Sequence, residues 1–130
     1  MKDYKTHTIL NAVAATGVGN SILIADYMHI ILEAAFTSAT IVIKFQGSIS
    51  ETCPDFSGTQ ASSNTWDYVE VIDLQDGSSI SGDTGITNSG ASSDVRLFEL
   101  NINGLRWFNV SVTTFTAGTV TVKATTFNNQ

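Results

Sequence analysis

The sequence predicts an all-β fold, a two-sheet antiparallel sandwich of the jelly-roll or immunoglobulin-like type with seven or eight strands. Strand-favouring residues occur in short alternating runs, separated by clusters of Gly, Ser, Asn and Asp. The runs recur about every ten residues with no helical segment between them, which is typical of sandwiches. The 130-residue chain has one proline, Pro54. Its length predicts a single domain over residues 1–130.

Four strands are predicted in the first 48 residues. Residues 6–15 alternate up to a turn at 16–20, and residues 21–25 form a short strand that pairs with them as a hairpin. In residues 28–36 the period of two places one set of side chains on the core face: Met28, Ile30, Leu32, Ala34 and Phe36. A helix is the rival interpretation there, because residues 30–35 are rich in helix formers.

The clearest strand of this half is residues 39–48. Its inward side chains are Ile41, Ile43 and Phe45, and its outward ones are Thr40, Lys44 and Gln46. Long loops follow near residues 49–65 and 75–94, because both stretches lack periodicity. Between them residues 66–74 resume β character, and the second loop has room for one short strand around Ile80 or Ile86.

In the last third of the chain, the alternating pattern predicts a three-strand meander over residues 95–103, 105–114 and 119–127. Its turns are Asn103-Gly104 and Ala117-Gly118, and Asn-Gly between alternating strands is a strong hairpin signal. The predicted inward side chains form three sets: Phe98, Leu100 and Ile102; Phe108, Val110 and Val112; Val120, Val122 and Ala124.

Charge and composition argue against several classes of function, among them nucleic-acid binding and insertion into a membrane. The net charge is −6, with only six Lys and Arg residues, so a nucleic-acid footprint of clustered basic residues is not expected. No signal peptide and no membrane span are expected from the hydropathy pattern. The lone Cys53 excludes a disulfide framework within the chain, and Gly17-Val18-Gly19 lacks the lysine and helix of a phosphate loop, so no cofactor is expected.

Catalytic and metal-binding patterns are weak. Only His7 and His29 offer an imidazole base, and neither accompanies a nucleophile motif, so the chain is not expected to be an enzyme. Asp67 and Asp73 lie on the opposite pleat from Glu70 and do not converge. One weak Ca²⁺ candidate remains in a loop with many carbonyl oxygens: Asp73, Asp76 and Asp83.

Exposed aromatic side chains mark a candidate interface. Trp107 alternates away from the inward face of its strand and lies outward together with Leu105. Trp66 and Tyr68 begin the strand after the first long loop. Large aromatics are enriched in binding hot spots, although either tryptophan would equally well cover a sandwich edge.

Four segments together resemble the β-sandwich virion proteins of tailed bacteriophages, the capsid-decoration, head-fibre and tail components. They are residues 39–48 (ATIVIKFQGS), 64–66 (NTW), 100–110 (LNINGLRWFNV) and 118–122 (GTVTV). The resemblance spans residues 22–127 and lies in strand pattern and turns. It carries over no functional residue.

This resemblance implies a structural virion protein, assembled in the host cytoplasm, that docks on capsid or tail proteins and forms a homo-oligomer, often a trimer. The low charge, long polar loops and outward aromatics fit that role. The alternative is a carbohydrate-binding module or host-receptor-binding domain, in which Trp66, Tyr68 or Trp107 would stack on a glycan.

Overall fold

The computed structural model describes residues 3–100 and 104–128, and within them the fold is all-β, as predicted. The nine strands are β1 (Asp3–Val13), β2 (Gly17–Val18), β3 (Ile22–Leu23), β4 (His29–Ser48), β5 (Asp67–Tyr68), β6 (Val71–Asp73), β7 (Ser79–Ile80), β8 (Ile86–Leu100) and β9 (Trp107–Asn128). The described residues include no helix with the length and apolar character needed to cross a membrane.

Three long strands, β4, β8 and β9, form the centre of the fold. The strand order is β1-β9-β4-β8-β6-β7, while β2 and β3 also pair with β9, and β5 pairs with β4. All these pairs are antiparallel. Because β4 lies between β8 and β9 along most of its length, it is the central strand of the sheet.

The long strands bend, so that one continuous sheet doubles back into two layers. Phe98 pairs with Leu32 on β4, and an extended strand would place Phe45 about 43 Å from Leu32. Instead the rings of Phe45 and Phe98 lie 5.7 Å apart. The two halves of β4 therefore face each other across the core.

The bends coincide on the three strands. Ser38, Ala91 and Gly118 all have positive φ, and the β4 register is irregular on both sides near Ser38. Such residues interrupt the pleat and turn a strand. The first layer, which we call layer A, consists of residues 29–37, 94–100 and 119–128 together with β1, β6 and β7. Layer B is residues 39–48, 86–92 and 107–117 with β2, β3 and β5.

The core lies between the two layers, and most of the predicted inward side chains are in it. Buried members from the predicted sets are Ile30, Leu32, Ala34, Phe36, Ile41, Ile43, Phe45, Phe98, Leu100, Phe108, Val110, Val112, Val120, Val122 and Ala124. Two predictions were wrong: Met28 is 56% exposed, and the outward Gln46 is buried. Ile102 and the turn residue Asn103 lie outside the described residues.

Two predicted strand boundaries were wrong because bends were read as turns. Residues 28–36 and 39–48 form the single strand β4, which also excludes the helical interpretation. The two last predicted strands form the single strand β9. Ala117 and Gly118 bend this strand without starting a hairpin.

The predicted pairing was also wrong at both ends of the chain. In the described residues β8 and β9 flank opposite sides of β4, so the C-terminal third is not a meander. β1 pairs with β9, as do β2 and β3, and the N-terminal hairpin does not form. The predicted loop at 75–94 contains β7 and the first half of β8.

Candidate functional site

The loop at residues 49–65 folds over the outer surface of layer B at the end of β4. Gln46 donates from Nε2 to Phe56 O at 2.8 Å, and Ser48 Oγ donates to Thr65 O at 2.6 Å. Phe56 itself is buried. This cover explains why Gln46, on the outward pleat of β4, is removed from solvent.

Asn64 holds the loop in shape. Its Nδ2 donates to Asp55 O at 2.8 Å and to Thr59 O at 3.1 Å, while its Oδ1 accepts from Asp55 N at 2.8 Å. The Asp55 carboxylate in turn accepts from Ser57 N and Ser57 Oγ. Hydrogen bonds from Ser57 lower the pKa of Asp55 below its ordinary value. The loop is therefore ordered by its own side chains.

An aromatic row connects this loop to the sheet. The rings of Phe56 and Trp66 lie 6.1 Å apart, and Trp66 meets Tyr68 edge-to-face at 5.1 Å. The Lys44 ammonium lies 4.9 Å from the centre of the Tyr68 ring. Edge-to-face aromatic and cation–π contacts hold the rings in fixed orientations.

Beside this row lies an open groove of about 400 Å³, with apolar surface contributed by Ile49, Trp66, Val69 and Leu105. Gly47 is part of the floor, where a Cβ atom would come within 3.0 Å of both Leu105 and Val69. A side chain at this position would therefore have to displace one of these two side chains by a few tenths of an ångström. The Ile49 side chain is 70% exposed at the groove.

The polar rim of the groove is engaged within the protein. Gln60 Nε2 donates to Trp66 O at 2.7 Å and to Asp67 Oδ1 at 3.1 Å. The same Asp67 oxygen accepts from Tyr68 N at 2.8 Å. Asn64, another polar residue at the groove, holds the loop as described above. The groove thus offers mainly apolar contact to an incoming group.

Two buried polar atoms next to the groove have no hydrogen-bond partner within residues 3–100 and 104–128. They are Trp66 Nε1, a donor, and Gln46 Oε1, an acceptor. A buried polar atom left unpaired costs about 1–3 kcal/mol. Because both atoms are buried, neither is available to a partner that enters the groove.

The structure brings three of the four predicted interface residues together. Trp66 and Leu105 line the groove, and Tyr68 contacts Trp66. Trp107 does not line it, and instead its Nε1 donates to Ser50 O at 3.1 Å, which fastens the start of the loop. Sequence reasoning missed Ile49, whose only signal is an isolated large apolar residue at the start of a polar loop.

The carboxylates of the weak Ca²⁺ candidate are not gathered into a site. Asp73 is buried and forms an ion pair with Arg96. Asp76 accepts from Ser78 N and Ser78 Oγ, and these bonds lower its pKa. Asp83 joins neither of them: residues 3–100 and 104–128 contain no group of three His, Cys, Asp or Glu side chains suited to a metal ion.

The two histidines lie at the same end of layer A and contact aromatic rings. His29 stacks on Phe127 with centroids 5.2 Å apart. His7 meets Tyr27 edge-on, and its Nε2 lies 3.3 Å from Thr126 Oγ1. Burial, and then the charge of Lys5, lower the pKa of His7. Both imidazole rings therefore pack against aromatic side chains of the same protein.

Comparison with known proteins identifies the fold. No protein-family model and no curated protein matches the sequence. The SPBc2 prophage-derived protein YomS is similar in structure, with a TM-score of 0.71 and 17% identity over 98% of this chain and 95% of YomS. The PBSX exported protein XepA gives a TM-score of 0.70 and 14% identity over 97% of this chain and 38% of XepA.

At these identities the likeness establishes a shared all-β fold. YomS has this fold along nearly its whole length, whereas this chain spans less than two fifths of XepA. Both neighbours are phage-derived proteins. The fold therefore occurs both as a nearly complete chain and as part of a longer one.

Proposed function

We propose that this chain is a non-catalytic structural protein of a tailed-phage virion, which docks on capsid or tail proteins and associates with copies of itself. A phage origin is supported by the full-length likeness to the SPBc2 prophage-derived protein YomS. The docking role is supported by the groove beside the loop at residues 49–65.

One observation carries the docking role: the groove is lined mainly by apolar surface, and the amide donor of Gln60 and one carboxylate oxygen of Asp67 at its rim are already hydrogen-bonded within the protein. Gln60 and Asp67 bond to each other and to the local backbone. Ile49 remains 70% exposed at the groove. An apolar side chain of a partner protein fits such a surface, because contact removes exposed apolar area without breaking hydrogen bonds.

A glycan fits the same groove less well. Sugar recognition needs an exposed ring for stacking and available polar groups for the hydroxyls. Trp66 is half-buried and meets Tyr68 edge-on, and the nearby Gln60 and Asn64 donors are engaged. These contacts favour a protein partner over the carbohydrate-binding alternative.

A second candidate is a phage-encoded protein that leaves the host cell. The observation that favours it is the likeness of 97% of this chain to part of XepA, which is described as an exported protein. In that case the same groove would bind a partner outside the virion. The two candidates differ in where the chain accumulates.

Fractionation of a phage-producing culture tests the proposal. Particles are purified on a density gradient, and the chain is quantified by mass spectrometry in particles, cell lysate and cell-free medium. A constant copy number per particle through successive gradients is the expected result. Accumulation in the medium with none in the particles would overturn the virion role in favour of export.

A further inference from the structure

The two outer surfaces of the sandwich differ in how the chain covers them. In layer B, chain segments bury outward side chains. The loop at 49–65 covers Gln46. Residues 19–21 cover Asn109, whose Nδ2 donates to Gly19 O and Ser21 Oγ. Over layer A no described segment lies on the outward side chains of β8, where Val95 is 62% and Leu97 46% exposed.

The cross-strand register defines this uncovered surface, which we call the outer face of layer A. One row joins Thr8, Lys123, Glu33 and Leu97 across β1, β9, β4 and β8. Ile31 lies outward in the row on one side, and Val95 in the row on the other. Leu74, whose backbone N–H bonds to Leu97 O, extends the apolar surface beyond β8.

The charge of this face suits contact with an identical face. The whole chain carries −6, so two copies repel each other over most surfaces. Lys123 and Glu33 are directly opposed on neighbouring strands in the middle of the face. In a contact between two such faces, each Lys123 has a Glu33 of the other copy available. The Thr, Val and Leu side chains around this pair carry no charge, and Glu99, which is opposite Ile31, leaves one unbalanced negative charge at the edge of the face.

The size of the face is sufficient for a specific contact. Rows on this face are about 6.7 Å apart and strands about 4.8 Å apart. Four rows on β9, β4 and β8, with two of those rows extended onto β1 and two onto the β6 side, give a surface of roughly 500 Å². Two such surfaces in contact remove about 1,000 Å² in total, which reaches the lower limit for a specific protein–protein interface.

We propose that the outer face of layer A is the surface through which copies of this chain contact one another. The inference rests on the self-association included in the proposed function and assigns it to a surface away from the groove. The occupant is a second copy, because the face is nearly neutral and self-complementary on an otherwise acidic chain.

Light scattering coupled to size-exclusion chromatography tests this assignment over a range of protein concentrations. The wild-type mass is expected to rise to a multiple of 13.9 kDa. Leu97→Lys is expected to weaken self-association at least about tenfold in Kd, because it buries a charge in the contact. Inside one copy the new lysine lies directly opposite Glu33, which supports folding.

Ile49→Lys is the matched control, since it places the same charge on an exposed apolar site at the groove and is expected to leave the mass unchanged. Hydroxyl-radical labelling of the wild-type chain provides a readout without a variant. Labelling of Leu97 should fall with rising concentration, and labelling of Ile49 should not.

Three outcomes would overturn the inference: a wild-type mass of 13.9 kDa at every concentration, an unchanged mass for folded Leu97→Lys, or dissociation by Ile49→Lys alone. The virion role fails separately, by absence from purified particles. If the chain is found in particles but Leu97→Lys does not change its self-association, the virion role stands and the assignment of self-association to the outer face of layer A is wrong.

Discussion

The ring of Phe45 packs against the ring of Phe98, 5.7 Å away, although these residues lie on opposite halves of two paired strands. Phe45 also stacks on Phe108 at 6.3 Å. The contact exists only because β4, β8 and β9 bend together and close the sheet on itself. It also joins the layer with the groove to the layer with the uncovered face.

The Phe45–Phe98 contact predicts energetic coupling between the layers. In a double-mutant cycle with Phe45→Leu and Phe98→Leu, we expect an interaction free energy of about 0.5–1.5 kcal/mol, measured by urea unfolding. Phe45→Leu combined with Tyr4→Leu is the control, because Tyr4 lies outward on layer A and contacts Phe127. Additive effects in the Phe45–Phe98 cycle would contradict the folded-over sheet.

Gly118→Ala should destabilise the protein more than Gly90→Ala. Both glycines have positive φ, at 80° and 71°. A Cβ at Gly118 would overlap the Ser38 carbonyl and Ala39 Cα, whereas Gly90 has open space. We expect roughly 1 kcal/mol for Gly90→Ala and at least about 2 kcal/mol more for Gly118→Ala. Equal losses in thermal unfolding would show that the strands do not meet at this bend.

His7 should make the protein less stable in mild acid. Burial lowers its folded-state pKa below the ordinary value of 6.5, with a further contribution from Lys5. Between the lowered value and 6.5 the unfolded chain binds more protons, so the free energy of unfolding falls as pH drops through that window. Above 6.5 the effect is absent.

Urea unfolding of wild type and His7→Gln from pH 7.5 to 5 checks this prediction. The wild type should lose more stability than the variant over this range. Asp55 and Asp76 also have lowered pKa values, but their contributions are lost only near and below their ordinary value of 3.8. Parallel curves for wild type and His7→Gln would contradict the account of His7.

Trp107→Phe should loosen the loop beside the groove. The substitution keeps an aromatic ring but removes the Nε1 donor to Ser50 O, a bond worth about 0.5–1.5 kcal/mol net. Amide hydrogen exchange within residues 49–65 should become faster. Trp66→Phe is the matched control, since its Nε1 has no hydrogen bond to lose. Unchanged exchange in Trp107→Phe would show that this bond does not fasten the loop.

Local alternation was enough to predict most of the side chains that are buried. Ile41, Ile43 and Phe45 follow the period of two, and that pattern determines which face meets the core. Gln46 follows the same pattern outward but is buried, because the loop that follows β4 folds back over it and brings Phe56, ten residues further along the chain, into contact with it. No local pattern contains that information.

The bends and the pairing required information from distant parts of the chain. Gly118 resembles a hairpin turn in the sequence, but its role depends on the approach of Ser38 from another strand. Likewise Trp66 and Leu105 were each predicted to be outward, yet only the folded sheet places them in one groove. Ile49 lines the same groove, and only the folded structure shows that it lies beside Trp66 and Leu105.

Incorporation of groove variants into phage particles tests the docking role most directly. Ile49→Asp and the control Leu23→Asp, an exposed site on β3, are each expressed in phage-producing cells lacking the native chain. Copies per purified particle are then counted by mass spectrometry. We expect Leu23→Asp to reach the wild-type copy number and Ile49→Asp to be depleted about tenfold or more. Equal incorporation of folded Ile49→Asp would contradict docking through the groove.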